Sequence, residues 1–370
     1  MSSLIAVIRL VDKVEDLVGS ERLSLVFIEG WVVVSSKLQD GSHRYKKGDP
    51  LIYLAPDTQL DNKLMGYLFP EDSKIKAPEG GRLKAIKIRG AVSYGMSIDL
   101  TPELEELYPG ILSLKVGDSV VDILGLKKWE PTDTPGCMTA DADSNHPQFK
   151  KYTDIENIKN FNNVFVEGEE VSVVVKIHGS NWRGALLPKL NATFFEKVKA
   201  FLTCKPLTTF CVGSHNRRIK LDGHNKDVYA RVAEKYDVLN KLRVGEEVFG
   251  EAVSSSIQKG FGYGVKPGDV DLYLFDVMVD GVYLSRDAFV QYCDERGFKS
   301  CPEVYRGPFS KAKMEELASG KDHELDKGIP CREGIVIRLV NETINPYVGR
   351  VVLKQLNPEY LLLKNSTDFH

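Results

Sequence analysis

A lysine delivered by an apolar strand is the residue in this chain best placed for nucleophilic chemistry. Val171-Ser172-Val173-Val174-Val175-Lys176 is a β-branched run that ends on an amine and opens directly into Ile177-His178-Gly179-Ser180-Asn181. Burial disfavours an ammonium, so an amine facing a dry cleft loses its proton more easily than the ordinary lysine value of about 10.4 implies. The free amine is then a nucleophile toward an anionic electrophile held beside it. Gly179 permits close backbone approach, and His178, Ser180 and Asn181 supply polar groups for phosphate or sugar. The same residues equally describe a lysine snorkelling off a strand end beside a glycine turn. Taken alone, they leave both readings open.

The company downstream is what distinguishes them. Lys176-x-His178-Gly179-x-Asn181 resembles the nucleotidyl-lysine motif of the covalent nucleotidyltransferases, in the form carried by RNA ligases. Ser214-His215-Asn216-Arg217 resembles the basic motif that follows the nucleophile in that superfamily, and Val248-Phe249-Gly250-Glu251 the motif ending in a ribose-binding glutamate. Leu274-Phe275-Asp276 resembles the motif whose aromatic residue stacks on the base. Arg332-Glu333-Gly334-Ile335-Val336-Ile337-Arg338 resembles the Glu-Gly strand motif, and Val352-Leu353-Lys354 the final lysine strand. Six such segments in order across the second half of the chain are a far more specific signal than any one of them. Two positions depart from the pattern. Val175 stands where related enzymes often carry an acid, and Lys354-Gln355-Leu356 replaces the usual Lys-x-Lys.

The resemblance implies an ATP-dependent RNA ligase working in three steps: ATP adenylates the lysine, AMP passes to a 5′-phosphate end, and a 3′-OH displaces AMP. It implies Lys176 as the catalytic nucleophile. His178, Gly179, Asn181, Arg217, Glu251, Phe275 and Lys354 would bind the nucleotide, and Glu333 with Asp276 would hold Mg²⁺ or Mn²⁺ directly or through water. Without the resemblance Phe275 reads as a packed strand residue, and Glu333 and Asp276 as ordinary carboxylates. Gln258-Lys259-Gly260-Phe261-Gly262-Tyr263-Gly264-Val265-Lys266 interleaves glycine, aromatic and basic residues, which suits a mobile loop touching nucleotide or strand ends, with Lys259 as its phosphate contact.

These groups need a scaffold. Residues 1–128 hold short β-type segments punctuated by turn residues: Leu4 to Leu10, Leu23 to Val34, Leu51 to Leu54, Leu83 to Ile88 and Val120 to Leu124. That pattern predicts a small barrel or sandwich. Residues 129–148 turn polar and Pro-containing, which marks a linker. Residues 149–370 mix strands and helices without strict alternation, which predicts an α+β domain. There Asn191 is expected to cap a helix burying Phe194, Val198, Phe201 and Leu202. Asp227 is expected to cap another, Asp280-Gly281 to turn a hairpin, and Ser285 and Gly297 to bound a third helix. A β-rich module placed first is similar to the Deinococcus-type RNA ligases, which implies an N-terminal OB-fold β-barrel before an α+β nucleotidyltransferase domain.

Composition limits the partners. The 370 residues carry 49 Lys+Arg against 52 Asp+Glu, a formal net charge of −3, which excludes a constitutive nucleic-acid coat. The charge is nevertheless uneven: Arg82, Lys84, Lys87 and Arg89 fall together without an acid, so Lys87 and Arg89 are expected to grip phosphates. The expected partner is RNA, or a duplex containing RNA, with a nick, bound by a monomer. No segment approaches a membrane span, and the N-terminus lacks a basic region ahead of its apolar run. Six cysteines form no C-x-x-C pair and read as reduced thiols. An intracellular, cytoplasmic protein is expected, with a nuclear site left open. Two other readings stay open here: a non-catalytic OB-fold RNA-binding protein, and a GTP-using mRNA capping guanylyltransferase.

Overall fold

In the computed structural model, which describes residues 5–71, 76–129, 146–221, 227–258, 260–321, 323–363 and 366, the chain forms two units. The first comprises Met1–Thr132, Ile155–Phe165 and Gln355–His370, and the second Asp133–Asp154 and Val166–Lys354. Most of the expected 129–148 linker lies outside the described residues.

The first unit is β-rich. Strand Pro50–Leu54 lies between Ala6–Leu10 and Met96–Ile98, and Lys13–Asp16, Leu23–Ile28 and Trp31–Ser36 form a second antiparallel ladder. The expected single strand over Leu23 to Val34 is a hairpin, because Glu29 and Gly30 both take positive φ and reverse the chain there. Val120 to Leu124 is not a strand. The Leu124 N–H donates back to Val120 O at 3.0 Å, and this turn buries both side chains with Ile8, Ile52, Leu54 and Ile98. Ala85–Ile88 and Ala91–Tyr94 make a hairpin closed by Arg89-Gly90.

The second unit has two antiparallel sheets. In one, the lysine strand Glu170–Lys176 runs between Glu303–Pro308 and Gly334–Leu339, and Gly334–Leu339 also neighbours Val352–Leu356, the strand that carries Lys354. In the other, the order is Arg218–Ile219, Thr208–Gly213, Ser180–Pro188, Glu246–Val253, Asp271–Val279, Val282–Tyr283. One face of this sheet, with Trp182, Val212, Val248, Leu272 and Leu274, packs against Val232, Val238, Phe289 and Cys293 of its covering helices. Strand alternation therefore puts Asn181, Glu251 and Tyr273, which are in register across three strands, on the opposite face.

Helix boundaries follow local chemistry. Asp227 caps Val228–Lys235 through the Ala230 N–H, and Ser285 and Gly297 bound Arg286–Arg296. The helix after Asn191 starts later than expected: Thr193 caps Phe194–Thr203, with Glu196 closing a capping box. Its apolar face is not core. Phe194, Val198, Phe201 and Leu202 are all exposed. Cys211, Cys293, Cys301 and Cys331 are buried cysteines outside any disulfide, and Cys204 is an exposed one. No helix among the described residues is long and apolar enough to cross a membrane.

Candidate active site

Lys176 ends its strand opposite Gly334, and that register sets its amine against the preceding residue, Glu333. Lys176 Nζ donates to Glu333 Oε1 at 2.8 Å. The lysine side chain is 11% exposed and the glutamate 2%, so the pair is desolvated but the amine can still be approached. Glu333 is held by its neighbour: Arg332 donates to Asp326 Oδ1 at 3.1 Å and to Leu317 O at 2.6 Å, all buried or nearly so.

The turn after the lysine is fixed by the second sheet. The Gly179 N–H donates to Glu251 Oε1 at 3.1 Å. A Cβ on Gly179 would overlap the Ala252 carbonyl oxygen and come within 2.9 Å of Val253 Cγ1. The glycine is therefore required by the approach of a neighbouring strand. Burial pushes the Glu251 carboxyl up to about 8, with Glu333 adding to the rise and Lys176 opposing it. His178 Nδ1 lies 3.7 Å from Glu333 Oε2, and burial holds its imidazole below the usual value despite that carboxylate.

Two buried acceptors on these residues have no hydrogen-bond partner, Glu333 Oε2 and Asn181 Oδ1. Buried polar atoms are normally satisfied, so each is suited to a group the protein does not itself supply. Asn181 sits directly opposite Glu251 in the ladder.

Gln258, Phe261 and Tyr263, in the segment expected to be a mobile loop, meet the turn after Lys176. The His178 N–H donates to Tyr263 Oη at 2.8 Å, Gln258 Nε2 donates to Gly179 O at 3.2 Å, and the Phe261 ring meets the His178 ring edge-on at 4.7 Å. Phe261 and Tyr263 are buried, and that burial anchors them beside His178. Tyr263 adopts φ 47°, an unusual conformation for a bulky residue. Sequence reasoning found this segment but not its role; the alternation of glycine with large aromatics was the signal.

Lys176, His178, Gly179, Asn181, Glu251 and Glu333 thus converge. Asp276 does not join them. Expected beside Glu333 as a metal partner, it is instead fully buried in another network: Tyr152 Oη donates to its Oδ2 at 2.8 Å, Arg350 pairs with the same oxygen, and Arg338 lies 3.5 Å away. Its oxygen is neutralised by guanidinium groups. Phe275 is half-buried, with its ring edge-on to Tyr152 at 4.8 Å. Arg217 is half-buried in the turn between Thr208–Gly213 and Arg218–Ile219, where its N–H donates to Ser214 Oγ at 3.2 Å. Lys354 is buried on its strand. Lys87 and Arg89 are exposed on the Ala85–Tyr94 hairpin of the first unit. Lys259 lies outside the described residues.

The sequence profile of the RNA ligase family matches residues 169–355, just over half of the chain, and an OB-fold domain profile matches residues 5–100. The molecule is an N-terminal OB-fold domain joined to an α+β nucleotidyltransferase domain of the ligase type. The chain belongs to the RNA ligase family. No curated protein matches its sequence at a significant level. Among solved structures it is similar to Naegleria gruberi RNA ligase. An arginine-to-alanine variant with ATP and Mn aligns at TM-score 0.73 and 22% identity over 97% of this chain and 98% of that one. A lysine-to-methionine variant with AMP and Mn aligns at 0.73 and 22% over 96% and 98%, and the enzyme with PPi at 0.72 and 22% over 97% and 98%.

Proposed function

We propose that this RNA ligase is ATP-dependent and joins 3′-OH and 5′-phosphate RNA ends at nicks in duplexes, through a lysyl-AMP on Lys176. The observation that carries the proposal is the Lys176–Glu333 pair set among Glu251, His178 and Asn181. In the first step Lys176 Nζ attacks the α-phosphorus of ATP, forming a P–N bond while the Pα–O bond to pyrophosphate breaks and the amine proton leaves. In the second a 5′-phosphate oxygen attacks that phosphorus and frees the lysine. In the third the 3′-OH attacks the activated 5′-phosphate and AMP departs. Positioning and charge neutralisation dominate such transfers. The neutral His178 imidazole orients phosphate by hydrogen bonding. Asn181 and Glu251 hold ribose hydroxyls, Phe275 faces the adenine, and Arg217 and Lys354 contact the α-phosphate or ribose.

Mg²⁺ or Mn²⁺ fits at Glu333, whose Oε2 is buried without a hydrogen-bond partner. Among the described residues no cluster of three or more potential ligands exists, which suits an ion shared between one carboxylate and substrate phosphates. When bound, the metal neutralises charge on those phosphates. Lys87, Arg89 and Lys259 are proposed phosphate contacts for the RNA.

Incubation with α-³²P-ATP and Mg²⁺ tests the reading. Label should attach to the wild type and be absent from Lys176→Ala. Equal labelling of both proteins, or labelling from GTP in place of ATP, would overturn it. Nicked substrates with ribose or deoxyribose on either side then define the strand chemistry.

A further inference from the structure

Helix Phe194–Thr203 is built inside out. At 100° per residue, Phe194, Phe195, Val198, Phe201 and Leu202 fall on one stripe about 120° wide, and Lys197 and Lys199 flank it on either side. In an ordinary surface helix that stripe faces the core. Here Phe194, Phe195 and Phe201 are 74%, 83% and 83% exposed. The helix has no buried residue, and its less exposed positions are Glu196 and Ala200 on the opposite side. Glu196 is tied down there by Lys189 at 2.6 Å and by the Thr193 N–H at 2.9 Å. The Lys189–Glu196 pair therefore marks the side turned away from the apolar stripe. Large exposed apolar patches mark interaction surfaces.

Charge narrows what covers it. Residues 189–205 hold Lys189, Lys197, Lys199 and Lys205 against Glu196 alone, in a chain whose net charge is −3. A second copy laid on the stripe would bring lysine against lysine with no acid between. The occupant is therefore anionic. Three of the five apolar residues are aromatic, and their flat, open faces with lysines alongside are what unpaired nucleobases and their phosphates stack on and pair with. Strand Ser180–Pro188 leads from Asn181 in the candidate active site toward this helix, seven residues or roughly 23 Å at about 3.3 Å each.

We propose that helix Phe194–Thr203 is an accessory site for single-stranded RNA, taking unpaired bases of the substrate at a distance from the joint. The proposal rests on the RNA-joining reading above and adds to it a preference for substrates with a single-stranded flank. The test compares wild type with the combined variant Phe194→Ser, Phe195→Ser, Phe201→Ser, whose positions are all exposed; circular dichroism confirms its fold. The probes are a labelled 12-nucleotide oligo(U) and a fully paired RNA duplex. The variant should bind oligo(U) at least about tenfold more weakly, since a stacked base contributes on the order of that factor, with duplex binding and lysyl-AMP formation unchanged. Unchanged oligo(U) binding overturns the proposal. So does wild-type retention on phosphatidylserine vesicles that the variant loses while RNA binding stays equal, or a wild-type dimer that the variant dissolves. Lysyl-AMP labelling in the same preparations reports on the ligase reading separately, because ring-dependent RNA binding can be present without it.

Discussion

Gly179 and Glu251 meet through a backbone N–H to Oε1 hydrogen bond of 3.1 Å, at a point where the glycine has no room for a side chain. The turn that follows Lys176 is thereby registered against strand Glu246–Val253, which carries Glu251. Gly179→Ala must push the strands apart, which should cost about 1–3 kcal/mol of stability as for other overpacked sites. It should also abolish lysyl-AMP formation, measured by labelled-AMP transfer beside a urea melt. Wild-type labelling by a normally stable variant would show that the close approach is unimportant.

Glu251 makes stability depend on pH. Its carboxyl is raised from the ordinary 4.5 to about 8 in the folded protein, so the folded state keeps a proton that the unfolded chain releases between those values. Stability from this group is therefore unaffected below about pH 4.5, falls as pH rises toward 8, and is lowest above it. Glu251→Gln cannot ionise and escapes the penalty. Its stability relative to wild type should grow between pH 5.5 and pH 8.5 by on the order of 2–4 kcal/mol, because each tenfold difference in proton affinity is worth about 1.4 kcal/mol. A difference independent of pH in urea denaturation would refute this.

Tyr263 is tied to the turn after Lys176 through the His178 backbone N–H. Tyr263→Phe keeps the ring and its packing but leaves the buried His178 N–H without its acceptor, which costs about 1–3 kcal/mol. Transfer of AMP to Lys176 should slow by roughly tenfold with little change in KM for ATP, because the turn is mispositioned while the nucleotide contacts remain. A changed KM at unchanged kcat would assign Tyr263 to binding instead.

Asp276 separates a structural carboxylate from a metal ligand. Asp276→Asn removes the charge that compensates Arg350 and Arg338, and breaking a buried pair of this kind costs on the order of 3 kcal/mol. The urea midpoint should fall, while the Mg²⁺ concentration giving half-maximal labelling stays where it is. A tenfold rise in that concentration at unaltered stability would restore Asp276 to the metal site.

Local chemistry was legible where one residue type has one physical use. The β-branched run ending at Lys176, the Asp280-Gly281 turn, and the Ser285 and Gly297 boundaries all lie where their side chains and backbone preferences put them. What escaped depends on distant partners. Asp276 was placed beside the metal by the family resemblance alone, and nothing nearby in sequence announces Arg350, 74 residues away. The Phe194 stripe has the spacing of a core face, and periodicity cannot tell which way a helix is rolled when a capping box and a Lys189–Glu196 pair hold its polar side inward. Likewise, glycines interleaved with aromatic and basic residues suited a mobile loop at Gln258–Lys266, whereas Phe261 and Tyr263 are buried beside His178, some 80 positions earlier.

The division of the chain has a practical consequence for dissecting it. Residues 155–165 and 355–370 belong with the N-terminal portion, so the polypeptide passes back and forth between its two units and no single cut yields both intact. An expression fragment ending near residue 128 would lack two of its own segments, and one starting near 149 would hold those segments without N-terminal residues they bond to, as Asn160 bonds Trp31 and Asn162 bonds the Glu29 carbonyl. Fragments of that kind should be recovered aggregated. An insertional or permuted design that reunites 355–370 with the N-terminal stretch is the route to a separately soluble OB-fold module, and its yield beside the simple truncation would measure how much those segments contribute.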